Sequence, residues 1–581
     1  MTATSDARAL ATLLAGSDPQ GLARLLHARG VTAAVPWRDC FDAAEALLEP
    51  ASVDRALATL ARAAVSAMDA AAAADSPVES GQREAVAALG LVRADGQVFD
   101  AVAERLRALL ALTDATAADA VTTADVSTPA DQATAAELAE RVAAATRTLT
   151  DLVARAADQP LTVTGTGSVT AIDRRRLIDA HVVADTAELD DLLALADDSG
   201  LLALADREWV PTTIAERWLP SPLAQRWSAV AIGWRDRLPD ALRTPAGGFA
   251  PPAQWHGAIP LDPTWPVRAD QILARAARWG LYGTGGAEPA WTTPLRAGQA
   301  PDLAALARLM PAEIDRIYLQ ADLTAIAPGP LRSALDLRLR TMAIRETAAQ
   351  ASTYRFTASS LAAAVAAGED ARSLHDFLTE LSLTGIPQPL AYLIEQTAAR
   401  HGLVRVGIDA DTQRTRVTST DEGLLRTIAV DQALRAIGLV DAGDALTSRV
   451  GRDAVFWTLA DARYPVLAVD AAGNAEPVQR RRAPVAVAPD LDPAAALVPL
   501  AEALLAHSTA DADAAWLTRE LDHAVRTHAD VLITVQMPDG SRREFTLEAT
   551  GLGGGRLRGR DRAGDVERTI PVASIVSVRP S

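Results

Sequence analysis

Apolar side chains recur every three to four residues through much of this 581-residue chain, which is the spacing of one buried helix face. In ASVDRALATLARAAVSAM the pattern is carried by Val53, Leu57 and Leu60. In TAELDDLLALADDSG it is carried by Leu189 and Leu192. The pattern therefore predicts a protein that is mainly α-helical.

Strand-like runs are short and follow helices. LGLVRADGQVFDAV predicts a hairpin that turns at Asp95 and Gly96, and LLALADREWVPT predicts a second hairpin after the helix that Gly200 ends. Helices followed by a two-stranded wing are the outline of a winged-helix unit, so two such units are predicted.

The end of the chain has a different pattern. After the helix AAWLTRELDHAVRTH come the strand-like runs VLITVQM, REFTLEAT, GRLRGRD and ERTIPVASIVSV, with turns at 538–540 and 553–555. Short strands this close together predict a small SH3- or Sm-like β-barrel.

These patterns predict a multi-domain protein, mainly α with α+β modules. The expected divisions are a helical, winged-helix-like domain (1–110), a low-complexity linker or loosely packed helix (111–146), a second winged-helix-like domain (147–220), a Trp- and Pro-rich helical connector (221–310), an α+β domain (311–475), a linker (476–510) and a small basic barrel (511–581).

Composition narrows the chemistry. All 56 residues counted as Lys+Arg are arginine, which a GC-rich genome would explain, and the net charge is 56 − 74 = −18. A P-loop, a protein kinase and a Schiff-base enzyme each need a lysine, so none is expected in its usual form. An acidic chain repels phosphates on average, so any DNA contact must come from a local basic patch.

The sequence also contains no motif for a disulfide, metal, cofactor or catalytic site. The single cysteine, Cys40, excludes internal disulfides and cysteine-based zinc modules, and is expected to be a small buried residue. Neither a signal peptide nor a membrane span is apparent, so a cytoplasmic protein is expected. No metal, cofactor or catalytic constellation is expected.

Residues 317–407 carry a resemblance. LQADLTAIAPGPL, YRFTASSL, HDFLTELS, IPQPLAYLIEQTAARHG and VRVG resemble the helicase-associated domain of actinobacterial proteins, which is similar to the N-terminal domain of XPB-type helicases. The C-terminal barrel resembles a WYL-type domain, although Leu532-Ile533-Thr534 departs from its Trp-Tyr-Leu-like triplet, so no ligand-binding residues are carried over. The resemblance implies a role in DNA repair or transcription.

Two arginine clusters are candidate phosphate contacts. Arg174, Arg175 and Arg176 open a helix of the second winged unit, where they would bind phosphate oxygens or pair with nearby acids on a solvated face. The following helix, in TAELDDLLALADDSG, would be the recognition helix, but it carries five acids and would be repelled by DNA. We therefore expect that unit to be structural or protein-binding.

The second cluster lies in the C-terminal unit, whose residues 526–581 have a net charge of 9 − 7 = +2. Arg556, Arg558 and Arg560 alternate along one strand-like run and so should share a face. They would follow a phosphate backbone or pair across strands with glutamates.

The function expected from these observations is non-enzymatic. The chain would bind DNA, a helicase or a repair partner, and would lack a motor of its own. Two alternatives remain: a transcriptional regulator with a ligand-sensing C-terminal barrel, and an ATP-driven helicase suggested only by family association.

Overall fold

The computed structural model describes residues 3–112, 128–348, 351–400, 402–471, 492–507, 512–537, 539–561 and 566–580, with a few single residues between 473 and 486 and Gly564. The helices are α1 Ala3–Ala15, α2 Pro19–Ala28, α3 Cys40–Leu48, α4 Pro50–Leu57, α5 Arg62–Ala74, α6 Ser80–Ala87, α7 Asp100–Leu112, α8 Gln132–Asp158, α9 Ala171–Asp179, α10 Thr186–Asp198, α11 Thr213–Trp218, α12 Leu223–Asp236, α13 Trp265–Arg278, α14 Thr292–Arg296, α15 Leu303–Ala307, α16 Ser333–Met342, α17 Ala358–Ala366, α18 Ala371–Leu381, α19 Gln388–Arg400, α20 Glu422–Val430, α21 Arg452–Asp461, α22 Val498–Ala506 and α23 Ala512–Thr527.

The strands are β1 Leu161–Thr162, β2 Leu202–Ala205, β3 Glu208–Pro211, β4 Tyr318–Leu319, β5 Thr324–Ala327, β6 Ile344–Ala348, β7 Ser352–Arg355, β8 Val404–Ile408, β9 Thr415–Ser419, β10 Val440–Asp441, β11 Leu446–Ser448, β12 Val466–Ala468, β13 Asp530–Gln536, β14 Arg542–Gly553, β15 Arg556–Asp561, β16 Val566–Pro571 and β17 Ile575–Pro580. The protein is thus a multi-domain α+β protein in which helices predominate.

The N-terminal unit contains α1 to α7 and also a segment from far along the chain. A 3-10 turn at Pro493–Leu497 and the helix α22 pack on α2, and Leu497 and Leu504 are buried in the same core as the first seven helices. The predicted linker at 476–510 is therefore wrong for 493–506. Its basic run at 480–482 lies outside the described residues.

The second unit begins with α8, a helix of 27 residues. Of the two alternatives for 111–146, the linker is wrong for 132–146, where the chain is helical as the other alternative predicted, and 113–127 lie outside the described residues. The stretch is rich in alanine, the best helix former, and Leu138, Val142 and Leu149 bury one of its faces.

After α8 come β1, α9, α10 and the hairpin β2–β3, whose antiparallel sheet has the order β1-β3-β2. This part and the Trp-rich segment share one core that runs from Leu138 to Leu306, so the structure does not separate 147–220 from 221–310.

Tryptophans fill that common core. The indole of Trp227 donates a hydrogen bond to the backbone carbonyl of Trp279 at 2.8 Å, and the indole of Trp279 donates to that of Trp227 at 3.2 Å. Both side chains are fully buried. The reciprocal bonds satisfy the one polar atom of each indole and join α12 to the end of α13.

Residues 314–478 form two adjoining cores. The first has the sheet β4-β5-β7-β6 packed with α16 to α19, and the second has the sheet β10-β11-β9-β8-β12, in which β12 runs parallel to β8. The strand β8, Val404–Ile408, is an interior strand of this sheet and pairs with β9 on one side and with β12 on the other.

The C-terminal unit is one antiparallel sheet of five strands in the order β16-β15-β14-β13-β17. The strands β16 and β17 form its two edges, and no pairing among the described residues joins them, so the predicted barrel is wrong in its closure. The apolar side is instead covered by α23, whose Leu521 and Ala524 are buried against the sheet.

Candidate nucleic-acid interface

The first predicted cluster lies on α9, where each arginine has a carboxylate within reach. Arg174 donates from Nε to the carbonyl of Val169 at 3.0 Å, and its guanidinium lies 3.5 Å from Asp190. Arg176 lies 3.0 Å from Asp173. Both side chains are thus used to hold α9 in the fold.

Arg175 differs from its neighbours because its side chain is 85% exposed. Its closest carboxylate, Asp179, lies 3.5 Å away one turn along the helix. Pairs of this kind on a helix surface contribute only about 0.3–0.5 kcal/mol and exchange readily for another anion. The cluster therefore offers one solvent-facing arginine rather than three.

The acidic helix α10 is covered from within the protein. Arg278 of α13 donates from Nε to Asp191 at 2.8 Å and lies 3.9 Å from Glu188. Arg275, one turn earlier, lies 3.8 Å from Asp198. Arg275 and Arg278 of α13 thus pair with three of the acids on this face of α10.

Asp198, one of these acids, lies where burial disfavours its ionised form. Burial raises the pKa of Asp198 to about 6, although Arg275 opposes the shift. The pKa of Asp197 is raised by burial as well. The end of α10 therefore gains protons at a pH where an exposed aspartate would be ionised.

The second predicted cluster lies on β15, where exposed and buried residues alternate without interruption. Arg556, Arg558 and Arg560 are all on the exposed side, as the spacing predicted. Leu557 and Asp561 are buried on the opposite side.

The underside of this strand is fixed by polar and aromatic contacts. Arg568 donates from Nε to the buried carboxylate of Asp561 at 2.6 Å and stacks over the ring of Phe545. A side chain at Gly559 would place its Cβ 2.9 Å from the carbonyl oxygen of Glu548, so glycine allows β14 and β15 to approach closely. Both features fix how the outer face is presented.

One end of the arginine row is paired with acids. In the sheet register Arg560 stands directly opposite Glu548 on β14 and Glu567 on β16. Opposite charges at such positions attract one another across the strands. Arg560 is therefore largely neutralised, as the pairing alternative predicted.

The other end of the row has uncharged neighbours. Arg558 stands opposite Gly551 and Thr569, and Arg556 stands opposite Gly553 and Pro571. Among the described residues neither arginine has an ion pair. We call Arg556 and Arg558 the free arginine pair; they are exposed guanidinium groups with no carboxylate in the register positions directly opposite them.

Residues 317–400, which contain β4 to β7 and α16 to α19, are attached to the second unit by a charged cluster that was not predicted. Asp151 of α8 accepts from Arg340 at 2.8 Å and also binds Arg345. The partners lie 189 and 194 residues away in sequence, and no local pattern could have indicated them. The Arg275 and Arg278 contacts were also missed, although their spacing of three on α13 was a usable signal.

A buried arginine lies beside this cluster. Arg226 of α12 is 4% exposed, and burial lowers the pKa of its guanidinium to about 10. Its guanidinium donates to the hydroxyl of Thr150 and lies over the ring of Trp218. Arg226 thus anchors α12 to α8 within the second unit, next to the Asp151 pairs that reach Arg340 and Arg345.

Within the described ranges, no group of three or more His, Cys, Asp or Glu side chains is placed to hold a metal ion. In the same ranges none of the helices has the length and apolar character needed to cross a membrane.

Residues 317–442 match a family model described as the helicase conserved C-terminal domain. The match covers β4 to β10 and supports the resemblance to helicase-associated proteins for this part of the chain. It ends before β11, α21 and β12, which complete the second sheet. No curated protein shows significant similarity to the chain.

Proposed function

We propose that this chain is a DNA-associated accessory protein of a helicase system, lacks its own motor, and contacts nucleic-acid phosphates through the free arginine pair. One observation carries the nucleic-acid part: Arg556 and Arg558 are exposed on a rigid strand and have no carboxylate opposite them. Arginine forks bind two phosphate oxygens at once, and a backbone contact of this kind needs no base sequence.

The accessory role is supported by the family match and by composition. Residues 317–442 match a helicase domain family, which supports an association with helicases. The chain contains no lysine, so it has no P-loop of the usual form to drive a motor. The XPB N-terminal-like and WYL-like assignments are part of this proposal and depend on the residue strings alone. The match gives the regulator alternative no support.

The second winged-helix-like unit, predicted at 147–220, is in this proposal a structural element. The connectivity from α8 to β3 and the sheet order β1-β3-β2 support the unit. The contacts of Arg275 and Arg278 with α10 support the structural role.

The proposal is tested by fluorescence anisotropy with single-stranded, duplex and forked DNA between about 50 and 200 mM salt. Binding should weaken as salt rises. Replacing both Arg556 and Arg558 by Gln should flatten the slope of log K against log salt by about 1.4 for single strands and about 1.8 for duplexes. Arg560→Gln is the matched control and should change the slope little, because Arg560 is paired.

Two results would overturn the proposal. One is the absence of DNA binding at low salt together with the recovery of no helicase in a pull-down. The other is a DNA-stimulated ATPase activity of the pure protein, which would mean that it has a motor.

A further inference from the structure

An open pocket of about 280 Å³ lies at the end of the second sheet of the 314–478 region. It is lined by Ile408, Gln413, Arg414, Thr415, Arg449, Val450, Gly451 and Arg452. Three of the eight residues are arginines and none is acidic, in a chain whose net charge is −18.

Four acids near the pocket already have partners. Arg416, which does not line it, binds Asp409 at 3.3 Å and Asp444 at 2.6 Å. Arg452 binds Asp453 at 2.9 Å and also Glu476.

These pairings leave the other two arginines of the pocket unmatched. Among the described residues Arg414 and Arg449 have no side-chain hydrogen bond and no ion pair, and both are exposed to solvent. Two unneutralised guanidinium groups that share one pocket repel each other, and an anion between them removes that repulsion.

The backbone under both arginines is held in place. The hydroxyl of Thr415 donates to the carbonyl of Val450 at 2.6 Å and so joins β9 to the loop that contains Arg449. The turn before Arg414 is closed by the bond from the amide of Asp409 to the carbonyl of Arg414 at 2.8 Å. The backbone amide of Thr412 holds the pKa of Asp409 below its usual range, so this turn stays fixed by an ionised carboxylate.

We propose that this pocket binds a phosphate group through Arg414 and Arg449, with the backbone at the start of α21 beside them. Guanidinium forks match tetrahedral oxyanions in geometry. Its volume is near the lower limit of ligand pockets, which suits a phosphate and its attached sugar. No aromatic residue lines it, so a base would not be stacked and recognition would not depend on base identity.

Isothermal titration with inorganic phosphate, at constant ionic strength and with chloride as the reference anion, tests this site. The wild type should bind phosphate, and replacing both Arg414 and Arg449 by Gln should weaken binding at least tenfold. The matched control replaces Arg426 and Arg435 of the same unit by Gln; this removes the same charge outside the pocket and should leave the affinity unchanged. Circular dichroism checks folding, and Arg449→Gln alone gives a second, milder variant that should weaken binding in the same direction.

Further titrations separate the two sources of phosphate. If a 5′-phosphorylated oligonucleotide binds more tightly than its unphosphorylated form, the ligand is a terminal phosphate. If both forms bind equally and the Arg414 and Arg449 variant binds neither, the ligand is the phosphate backbone of the strand. Failure of the wild type to bind phosphate, or equal binding by the variant and the wild type, would overturn the proposal. The comparison of wild type and the Arg414 and Arg449 variant with inorganic phosphate leaves Arg556 and Arg558 unchanged, so its outcome is independent of the proposed function.

Discussion

Replacing Leu504 by Ala should destabilise the N-terminal unit, although Leu504 lies far from α1 to α7 in the sequence. Leu504 is fully buried, lies on α22, and belongs to the core that α1 to α7 form. Its backbone carbonyl also lies 3.8 Å from the thiol of Cys40 on α3. Removing the side chain therefore leaves a cavity between the first and the last thirds of the chain.

Buried Leu to Ala substitutions cost about 2–5 kcal/mol, because the lost burial is added to the cavity that remains. A local opening that becomes easier by about 2 kcal/mol increases hydrogen exchange about 30-fold. Because α22 packs on α2, the amides of Pro19–Ala28 should show this loss of protection as well as those of Val498–Ala506.

Hydrogen exchange with mass spectrometry measures both segments in the intact protein. Glu502→Ala is the control, since Glu502 is exposed on the same helix and its replacement should leave both segments protected. If Leu504→Ala increased exchange in Val498–Ala506 and left Pro19–Ala28 unchanged, the segment would be attached to the unit without completing its core, and the reasoning would be refuted.

Three further substitutions address the second unit. Asp191→Asn should lower stability at pH 7.5 by about 1 kcal/mol, measured by thermal unfolding, because it removes the charge that binds Arg278 at 2.8 Å. Asp198→Asn should instead raise the melting temperature at pH 7.5. Because burial raises the pKa of this acid from 3.8 to about 6, its ionisation lowers native stability as the pH rises through that window. The gain in melting temperature should therefore vanish at pH 4. Trp227→Phe should lower the free energy of unfolding in urea by about 1–3 kcal/mol, since it leaves the carbonyl of Trp279 without its donor; an unchanged midpoint would contradict the role given to that bond.

Local patterns predicted local structure well. The helix over 186–198 followed from the spacing of Leu189 and Leu192, and the common face of Arg556, Arg558 and Arg560 followed from the two-residue period of a strand. Both depend only on neighbours within a few residues, and such periodicities are fixed by backbone geometry.

Long-range pairing was beyond the sequence patterns. Neutralisation of Arg560 required the register of three strands, and the Asp151 cluster required contacts across more than 180 residues. The barrel prediction failed because strand spacing indicates a sheet but does not say whether its edges meet. The linker at 476–510 and the linker alternative at 111–146 failed because alanine-rich stretches lack bulky side chains and yet form helices that bury well.

The return of residues 493–506 to the first unit has a consequence for biosynthesis. During synthesis α1 to α7 are translated long before α22. At about 5–20 residues per second, the time between the synthesis of α7 and that of α22 is on the order of 20–80 s. During that time α2, whose Leu22 and Leu26 are buried in the finished protein, lacks the helix that packs on it. We expect the first unit to be a client of cotranslational chaperones, and its final packing to be a post-translational event.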